Sequence, residues 1–334
     1  MTGLCTGLFV KTTYATFDIA EYLDNDEVIA EYLSVAAANK NPRCVHCCYR
    51  RCRQSKTLSR YGMERFLYRL SASSYTDCFI LKGASLFLVW MGQNYRVTRD
   101  ADLLCFGSPD LNNLAWIFRE ICTIDCNSDG MVYKTETLKV EEIREGLKYE
   151  GARVTLVGIL NTARIPLQID IGFGDAITPA PENIEYPTLL ETPPPKLKAY
   201  PRYTLVAEKL EAMVQLDLAN SRMKDFYDIW LSSKLFPFEG TILIKAIKNI
   251  FARRKTALPN GAPFAFTSEF YEDQQKKVQW NAFIKKVKPN VHVESLSIVT
   301  AEISRFLQPV IDSIQSASSF EEEWLPEKGW TLKH

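Results

Sequence analysis

Two aspartates separated by one residue, Asp100 and Asp102, follow a turn of small residues, Gly83-Ala84-Ser85, in this chain of 334 residues. In an extended strand, residues i and i+2 point to the same face, so these two carboxylates would project together. Carboxylates that close repel each other unless a cation lies between them, and hard oxygen ligands suit Mg²⁺. A small-residue turn that leads into a helix can hold phosphates. The combination indicates phosphoryl or nucleotidyl transfer.

A third aspartate, Asp170, lies inside an apolar segment, residues 166–172. A charge in such a strand is costly to bury unless it is paired or bound to a metal, so Asp170 is a candidate third metal ligand. Asp175 is the nearby alternative, although Gly172 and Gly174 leave its position less defined. Three carboxylates on adjacent strands can hold two Mg²⁺ ions, one to activate an attacking hydroxyl and one to neutralise a triphosphate leaving group. Taken alone, an Asp-x-Asp pair is more often a solvated strand edge or turn, and an aspartate in an apolar strand is more often a strand end than a ligand.

Two further candidates, Lys209 and Asp225, lie in the second half of the chain. Near a triphosphate, Lys209 could neutralise the charge that builds on the leaving pyrophosphate, and Asp225 could orient that lysine or contact the nucleotide. Asp225 and Asp228 are three residues apart and therefore share a helix face. Both features also have ordinary structural explanations, a solvated lysine and aspartates that complement a helix dipole.

Hydrophobic patterning predicts the elements that must position these residues. In the first half it predicts helices over 61–70, 86–91 and 112–122, and strands over 78–81, 97–106, 132–140, 152–160 and 165–172. A strand, a helix and then several strands are typical of a mixed α/β domain.

The second half has a different pattern. Residues 182–201 are rich in proline and should form a stiff extended connector. Beyond them, helical periodicity covers residues 204–218, 223–233, 240–254, 269–287 and 295–316, which predicts an all-helical domain.

Composition excludes several classes of protein. Lysine plus arginine and aspartate plus glutamate both number 40, so zero net charge implies no global attraction to nucleic acid or to a membrane. There is no apolar run long enough to span a bilayer, so we expect no membrane association. The nine cysteines are odd in number and four of them crowd into residues 44–52, unlike a secreted disulfide framework. A reducing cytoplasm is the expected location.

Residues 61 to about 233 resemble the AbiEii/AbiGii toxin family of nucleotidyltransferases, which includes the MenT toxins. The matching segments are residues 64–71, 79–86, 96–102, 168–172, 208–212 and 224–228. The resemblance implies an α+β fold, in which a polymerase-beta-like nucleotidyltransferase domain (a mixed sheet with flanking helices) precedes an all-helical C-terminal domain. It implies Mg²⁺-dependent transfer of a nucleotide from an NTP, often to the 3′ end of tRNA, and a cognate antitoxin encoded nearby.

The resemblance also implies roles for particular residues. Asp100 and Asp102 match the metal-binding pair, and Asp170 matches the third strand carboxylate of the wider superfamily. The catalytic set is then Asp100, Asp102, Asp170 and Lys209, and the nucleotide-binding set is Lys82, Gly83, Ser85, Arg99, Lys209 and Asp225.

The chain departs from the family at its start. Residues 13–42 resemble the N-terminus of HigA-like addiction-module antidote proteins, which indicates either a gene-fusion remnant or a segment that shields the active site. Residues 44–52 contain Cys-x-x-Cys and one histidine, but the second Cys-x-x-Cys pair of a zinc site is missing. The expected division is an atypical segment 1–60, a nucleotidyltransferase core 61–190, a connector 191–203 and a helical domain 204–334.

Two basic clusters in the second half could follow an RNA backbone, with aromatics to stack on bases. They comprise Lys245, Lys248, Arg253, Arg254 and Lys255, and then Lys276, Lys277, Lys285, Lys286 and Lys288 with Trp280 and Phe283 between them. Solvated helix faces have the same composition. Two alternatives to RNA modification also stay open, a non-catalytic toxin–antitoxin interaction protein and a transferase that nucleotidylates a protein.

Overall fold

The computed structural model describes residues 56–92, 100–107, 109–126, 129–145, 148–287 and 292–333. The expectations for the antidote-like stretch, for the cysteine-rich run and for Arg99 and Lys288 lie outside these residues.

Among its described residues, the first half forms three α-helices and a seven-stranded mixed sheet. Its elements are α1 Lys56–Ala72, β1 Phe79–Lys82, α2 Leu86–Met91, β2 Ala101–Cys105, α3 Leu111–Thr123, β3 Met131–Glu145, β4 Lys148–Leu160, β5 Ala163–Phe173, β6 Glu182–Glu185 and β7 Lys196–Ala199. The strand order is β3-β4-β5-β2-β1-β7-β6, in which β2 runs parallel to β5 and β1 runs parallel to β7. The predicted α+β class, a mixed sheet flanked by helices, is confirmed.

The two faces of the sheet differ because its strands alternate in polarity. In β5, Ile169 and Ile171 are buried on one face, whereas Asp170 lies on the other and is half-buried. Helices α1 and α3 cover the apolar face, where Phe66 stacks on Phe118 with ring centroids 5.5 Å apart. The face that carries Asp170 is left for polar chemistry.

The predicted proline-rich connector contributes to the sheet. Residues 182–185 and 196–199 form β6 and β7, and β7 pairs with β1. The backbone N–H of Tyr200 then donates to the carbonyl of Leu81 at 2.9 Å. Leu197 and Ala199 alternate with two lysines and are buried, but this four-residue pattern is too short to stand out among prolines.

The second half is mostly helical, with helices α4 Arg202–Leu216, α5 Met223–Leu235, α6 Gly240–Arg254, α7 Ser268–Tyr271, α8 Gln274–Val287 and α9 Leu296–Ser316. The prediction that it is all-helical is wrong, because β8 Phe238–Glu239, β9 Glu322–Leu325 and β10 Gly329–Leu332 form a small antiparallel sheet. The aromatic side chains of Trp324 and Trp330 pack on Phe306 and hold this sheet against α9. Within the described residues, none of the helices is both long and apolar enough to span a membrane.

Candidate active site

Five charged side chains form a row across five neighbouring strands. Lys82 is in register with Asp102, Asp102 with Asp170, Asp170 with Arg153, and Arg153 with Glu141. Residues in register on adjacent strands point to the same face of a sheet. This charged row therefore places Asp102 and Asp170 side by side, as the sequence predicted.

Asp100 lies one residue before β2, at the exposed rim of the site. Partial loss of water contact raises the pKa of its carboxyl group, and the nearby charges of Asp170 and Asp102 raise it further. The pKa of Asp102 is also raised, chiefly by burial and in part by Asp170. The structure thus brings the three predicted carboxylates together and concentrates negative charge where they meet.

Asp170 is occupied by a basic partner. The Nε and Nη2 atoms of Arg153 donate to its two carboxylate oxygens, each at 2.8 Å, and the side-chain amide of Gln168 lies at 3.3 Å. In the part of the chain that the structure describes, no three histidine, cysteine, aspartate or glutamate side chains are arranged to hold a metal ion. Asp100 and Asp102 have the hard oxygens and the unfavourable mutual charge that suit Mg²⁺, whereas Asp170 would first have to leave Arg153.

The small-residue turn allows Asp102 to lie close to the backbone. Gly83 has a φ of +76°, a left-handed conformation that L residues rarely adopt, and a Cβ atom there would lie 2.1 Å from Oδ2 of Asp102. Ser85 is buried, donates its hydroxyl to the carbonyl of Lys82 at 3.3 Å, and is not among the residues that line the adjoining cleft. The role predicted for Ser85 in phosphate binding stays a prediction.

Gly83→Ala should lower nucleotidyl transfer by about 10²-fold or more, because a displacement of about 1 Å in a catalytic group has an effect of that size. The new methyl group would push the Asp102 carboxylate away from the turn. Gly92→Ala is the matched control, since Gly92 has a φ of +68° and no atom lies within 4 Å of the place that a methyl group would take there. Transfer rates and thermal melts of the two variants separate the clash from backbone strain. Equal activity in both would contradict the expectation.

A cleft of about 560 Å³ lies between the sheet and helices α4, α5 and α6. That volume is within the range of small-molecule sites. Asp102 lines the cleft, whereas Asp100 and Asp170 are not among its lining residues. Its basic lining residues are Lys82, Lys209, Arg222, Lys224, Arg253, Arg254 and Lys255. Five acidic residues also line the cleft, Asp102, Asp175, Glu208, Glu211 and Asp225, so seven basic residues stand against five acidic ones, and this excess of positive charge suits an anionic ligand.

The predicted pair Lys209 and Asp225 are in contact. The Nζ atom of Lys209 lies 2.7 Å from Oδ1 of Asp225 and 2.8 Å from Oδ2 of Asp228, and both aspartates are buried. Burial alone would raise the pKa of Asp225, but Lys209 and Arg222 outweigh it and the pKa is lowered. The charged form of Asp225 is therefore favoured and it contacts the lysine, while the roles foreseen for the two residues stay predictions.

Sequence reasoning missed an ion-pair network beside this pair. Arg254 lies 2.9 Å from Asp175, 3.1 Å from Glu208 and 2.8 Å from Glu211. Lys82 lies 3.0 Å from Glu208 and 3.5 Å from Asp175. Burial would raise the pKa of Asp175, but Arg254 and Lys82 lower it below the usual range. Asp175, the alternative metal ligand, is instead a partner of these two cations.

The two predicted RNA-binding clusters differ in the structure. Arg253, Arg254 and Lys255 of the first line the cleft. In the second, Lys276 is buried and donates to the carbonyls of Leu218 and Asn220 at 2.7 and 2.8 Å. Trp280 of the same cluster is also buried, with its indole N–H donating to the carbonyl of Glu294 at 3.1 Å. The RNA-binding interpretation is therefore wrong for Lys276 and Trp280, because their polar groups are used within the fold.

A family model for nucleotidyl transferases, described as the AbiEii toxin of type IV toxin–antitoxin systems, matches residues 65–306. The chain therefore belongs to the AbiEii nucleotidyl transferase toxin family, and the resemblance inferred from its motifs is confirmed.

Two solved structures from Helicobacter pylori are similar to the chain. One is of a proposed nucleotidyltransferase, with 14% identity and a TM-score of 0.48 over 80% of this chain and 99% of the other. The second, of JHP933, has 14% identity and a TM-score of 0.47 over 79% of this chain and 95% of the other. Among curated proteins, none matches.

Proposed function

We propose that this chain is a toxin that transfers a nucleotide from an NTP to the 3′ end of an RNA, with tRNA as the expected acceptor. The observation that carries the proposal is the adjacency of Asp102 and Asp170 in the charged row, with Asp100 beside them and a basic cleft next to them. In a metal-assisted phosphoryl transfer, carboxylates hold the metal ions and basic side chains stabilise the charge of the phosphates. The site contains both groups. We also infer that the sheet is of the polymerase-beta-like type, since its central strands carry these carboxylates.

Asp100, Asp102 and Asp170 would hold the two Mg²⁺ ions of this proposal. Bound Mg²⁺ would favour the ionised form of the attacking hydroxyl and screen the charge of the triphosphate. The carboxylates themselves are positioned by backbone pairing, since Asp102 and Asp170 are register partners of the parallel strands β2 and β5.

The basic residues of the cleft would bind and stabilise the triphosphate. Lys209 is held by two buried aspartates and would face the pyrophosphate as its charge develops. Lys82 would contribute a second positive charge from the end of β1. Gly83 lines the cleft and would present the backbone of the turn to the phosphates.

The partners of this reaction follow from the family. We infer that a cognate antitoxin, encoded nearby, restrains the activity, and that the protein acts in the cytoplasm where NTPs and tRNA are present.

Each of the four α-labelled NTPs should be incubated with the purified protein, Mg²⁺ and total RNA, alongside Asp102→Asn and a sample with EDTA. We expect label on RNA only with wild-type protein and metal. Label on protein instead of RNA would identify a protein-modifying transferase. Absence of label from RNA and protein with all four NTPs would refute the transferase and favour a non-catalytic interaction protein.

A further inference from the structure

The third carboxylate of the site is held by an arginine. Asp170 accepts two hydrogen bonds from Arg153 in a bidentate arrangement, each at 2.8 Å. Bidentate guanidinium–carboxylate pairs use both oxygens of the carboxylate at once. A metal ion would need at least one of those oxygens, so Arg153 and a metal ion compete for Asp170.

We propose that Arg153 is a lock on the metal site, a positioning residue that keeps Asp170 neutralised until a divalent cation displaces it. The inference rests on the proposed metal-dependent function, because it concerns the same three carboxylates. Two observations support it. Asp102 and Asp170 are adjacent, yet among the described residues no three side chains are already arranged to hold a metal ion.

The structure gives the displaced arginine a second carboxylate. Arg153 lies on β4 between β5 and β3, in register with Asp170 on one side and Glu141 on the other. Glu141 is exposed and points to the same face of the sheet. The guanidinium can therefore move from Asp170 towards Glu141 by side-chain rotation alone, without any change in strand pairing.

Both side chains are partly exposed to solvent, which favours the exchange of Arg153 from Asp170 to Glu141. The side chain of Arg153 is 41% exposed and that of Asp170 is 23% exposed, so water can replace the contacts as they break. Partly exposed ion pairs contribute little stability, and a divalent cation carries twice the charge of the arginine that it displaces. Displacement of Arg153 from Asp170 does not require the apolar core to move.

The test is a titration with Mn²⁺ alone, followed by the electron paramagnetic resonance signal of free Mn²⁺, on full-length protein without NTP. Arg153→Gln should bind Mn²⁺ about fivefold more tightly than wild type, the size expected for loss of one partly exposed ion pair. Arg153→Lys keeps the charge but loses the bidentate geometry and should lie between the two. Arg164→Gln removes an exposed arginine from the distal part of β5 and should match wild type.

A double-variant comparison isolates the proposed route. Because the lock acts through Asp170, the gain from Arg153→Gln should vanish in an Asp170→Asn background. The lock would be overturned if Arg153→Gln bound Mn²⁺ no more tightly than wild type, while its thermal melt in EDTA showed a folded protein. That result would leave the transferase proposal standing. Failure of wild type and Arg153→Gln alike to bind Mn²⁺ would overturn both the lock and the metal site.

Discussion

Asp102→Asn should lower nucleotidyl transfer by at least about 10³-fold and, without divalent metal, make the folded protein more stable than wild type. Activity falls because a neutral amide is a poor ligand for a hard cation. Stability rises because the pKa of Asp102 is raised in the folded chain, chiefly by burial, so its ionised form is less favourable there than in the unfolded chain. Asparagine keeps the size of the side chain and removes the charge.

The stability gain should be on the order of 1 kcal/mol, since replacement of a poorly compensated buried charge by a neutral group is often stabilising. The gain should be largest at neutral pH, shrink as the pH falls through the raised pKa of the folded Asp102 carboxyl group, and vanish below the pKa of that group in the unfolded chain. Single-turnover label transfer measures the first effect, and urea unfolding in EDTA at several pH values measures the second.

The matched control is Asp110→Asn. Asp110 caps helix α3 through hydrogen bonds to the backbone N–H groups of Asn112 and Asn113, and asparagine is an equally good cap. Transfer activity and the free energy of unfolding should both stay at wild-type values in this control. A destabilised Asp102→Asn protein would show that Asp102 is a structural residue. Retained activity would show that Asp102 is not needed for transfer.

Arg254→Met should destabilise the protein by about 3 kcal/mol, because removal of one member of a buried ionic group leaves its partners uncompensated. Arg254 is 28% exposed and contacts Asp175, Glu208 and Glu211. After the substitution, Lys82 is the remaining basic partner that contacts Asp175 and Glu208. Activity should fall as well, since Arg254 lines the cleft and its positive charge there is lost.

Urea unfolding at neutral pH measures this loss. Arg253→Met is the matched control, because Arg253 is the adjacent residue, also lines the cleft, and donates to the carbonyl of Gly174 from an exposed position. It should cost less than about 1 kcal/mol, as exposed contacts do. Adding Glu211→Gln to Arg254→Met should restore part of the stability, since Glu211 is fully buried. A loss of the same size in Arg253→Met would contradict the assignment.

Much of the site could be predicted because its residues lie on short, regular elements. The period of two within strands predicted that Asp100 and Asp102 project together, although Asp100 lies one residue before β2, and an aspartate inside an apolar strand indicated Asp170. Helix α2 begins and ends where the apolar pattern predicted, at Leu86 and Met91. Helix α6 does the same, from Gly240 to Arg254.

The remaining features depend on contacts between distant parts of the chain. The pairing of Arg153 with Asp170 depends on the register between β4 and β5, which the alternation of one strand does not determine. The network of Arg254 joins residues from three separate segments, and the burial of Lys276 depends on carbonyls more than fifty residues away in sequence. A basic residue on a helix has the same local pattern whether it faces water, RNA or a buried carbonyl.

The pairing of β1 with β7 also sets an order for folding during synthesis. Strand β1 leads directly into Gly83 and pairs with β2, which carries Asp102, yet the other neighbour of β1 is made only when the chain reaches Ala199. Pairings over such long sequence separations form late, because a long loop must close first. A ribosome-bound chain that ends before β7 would therefore contain all three aspartates but only an incompletely paired β1. The site would assemble only after most of the chain has emerged, which delays the appearance of an active toxin until synthesis is well advanced.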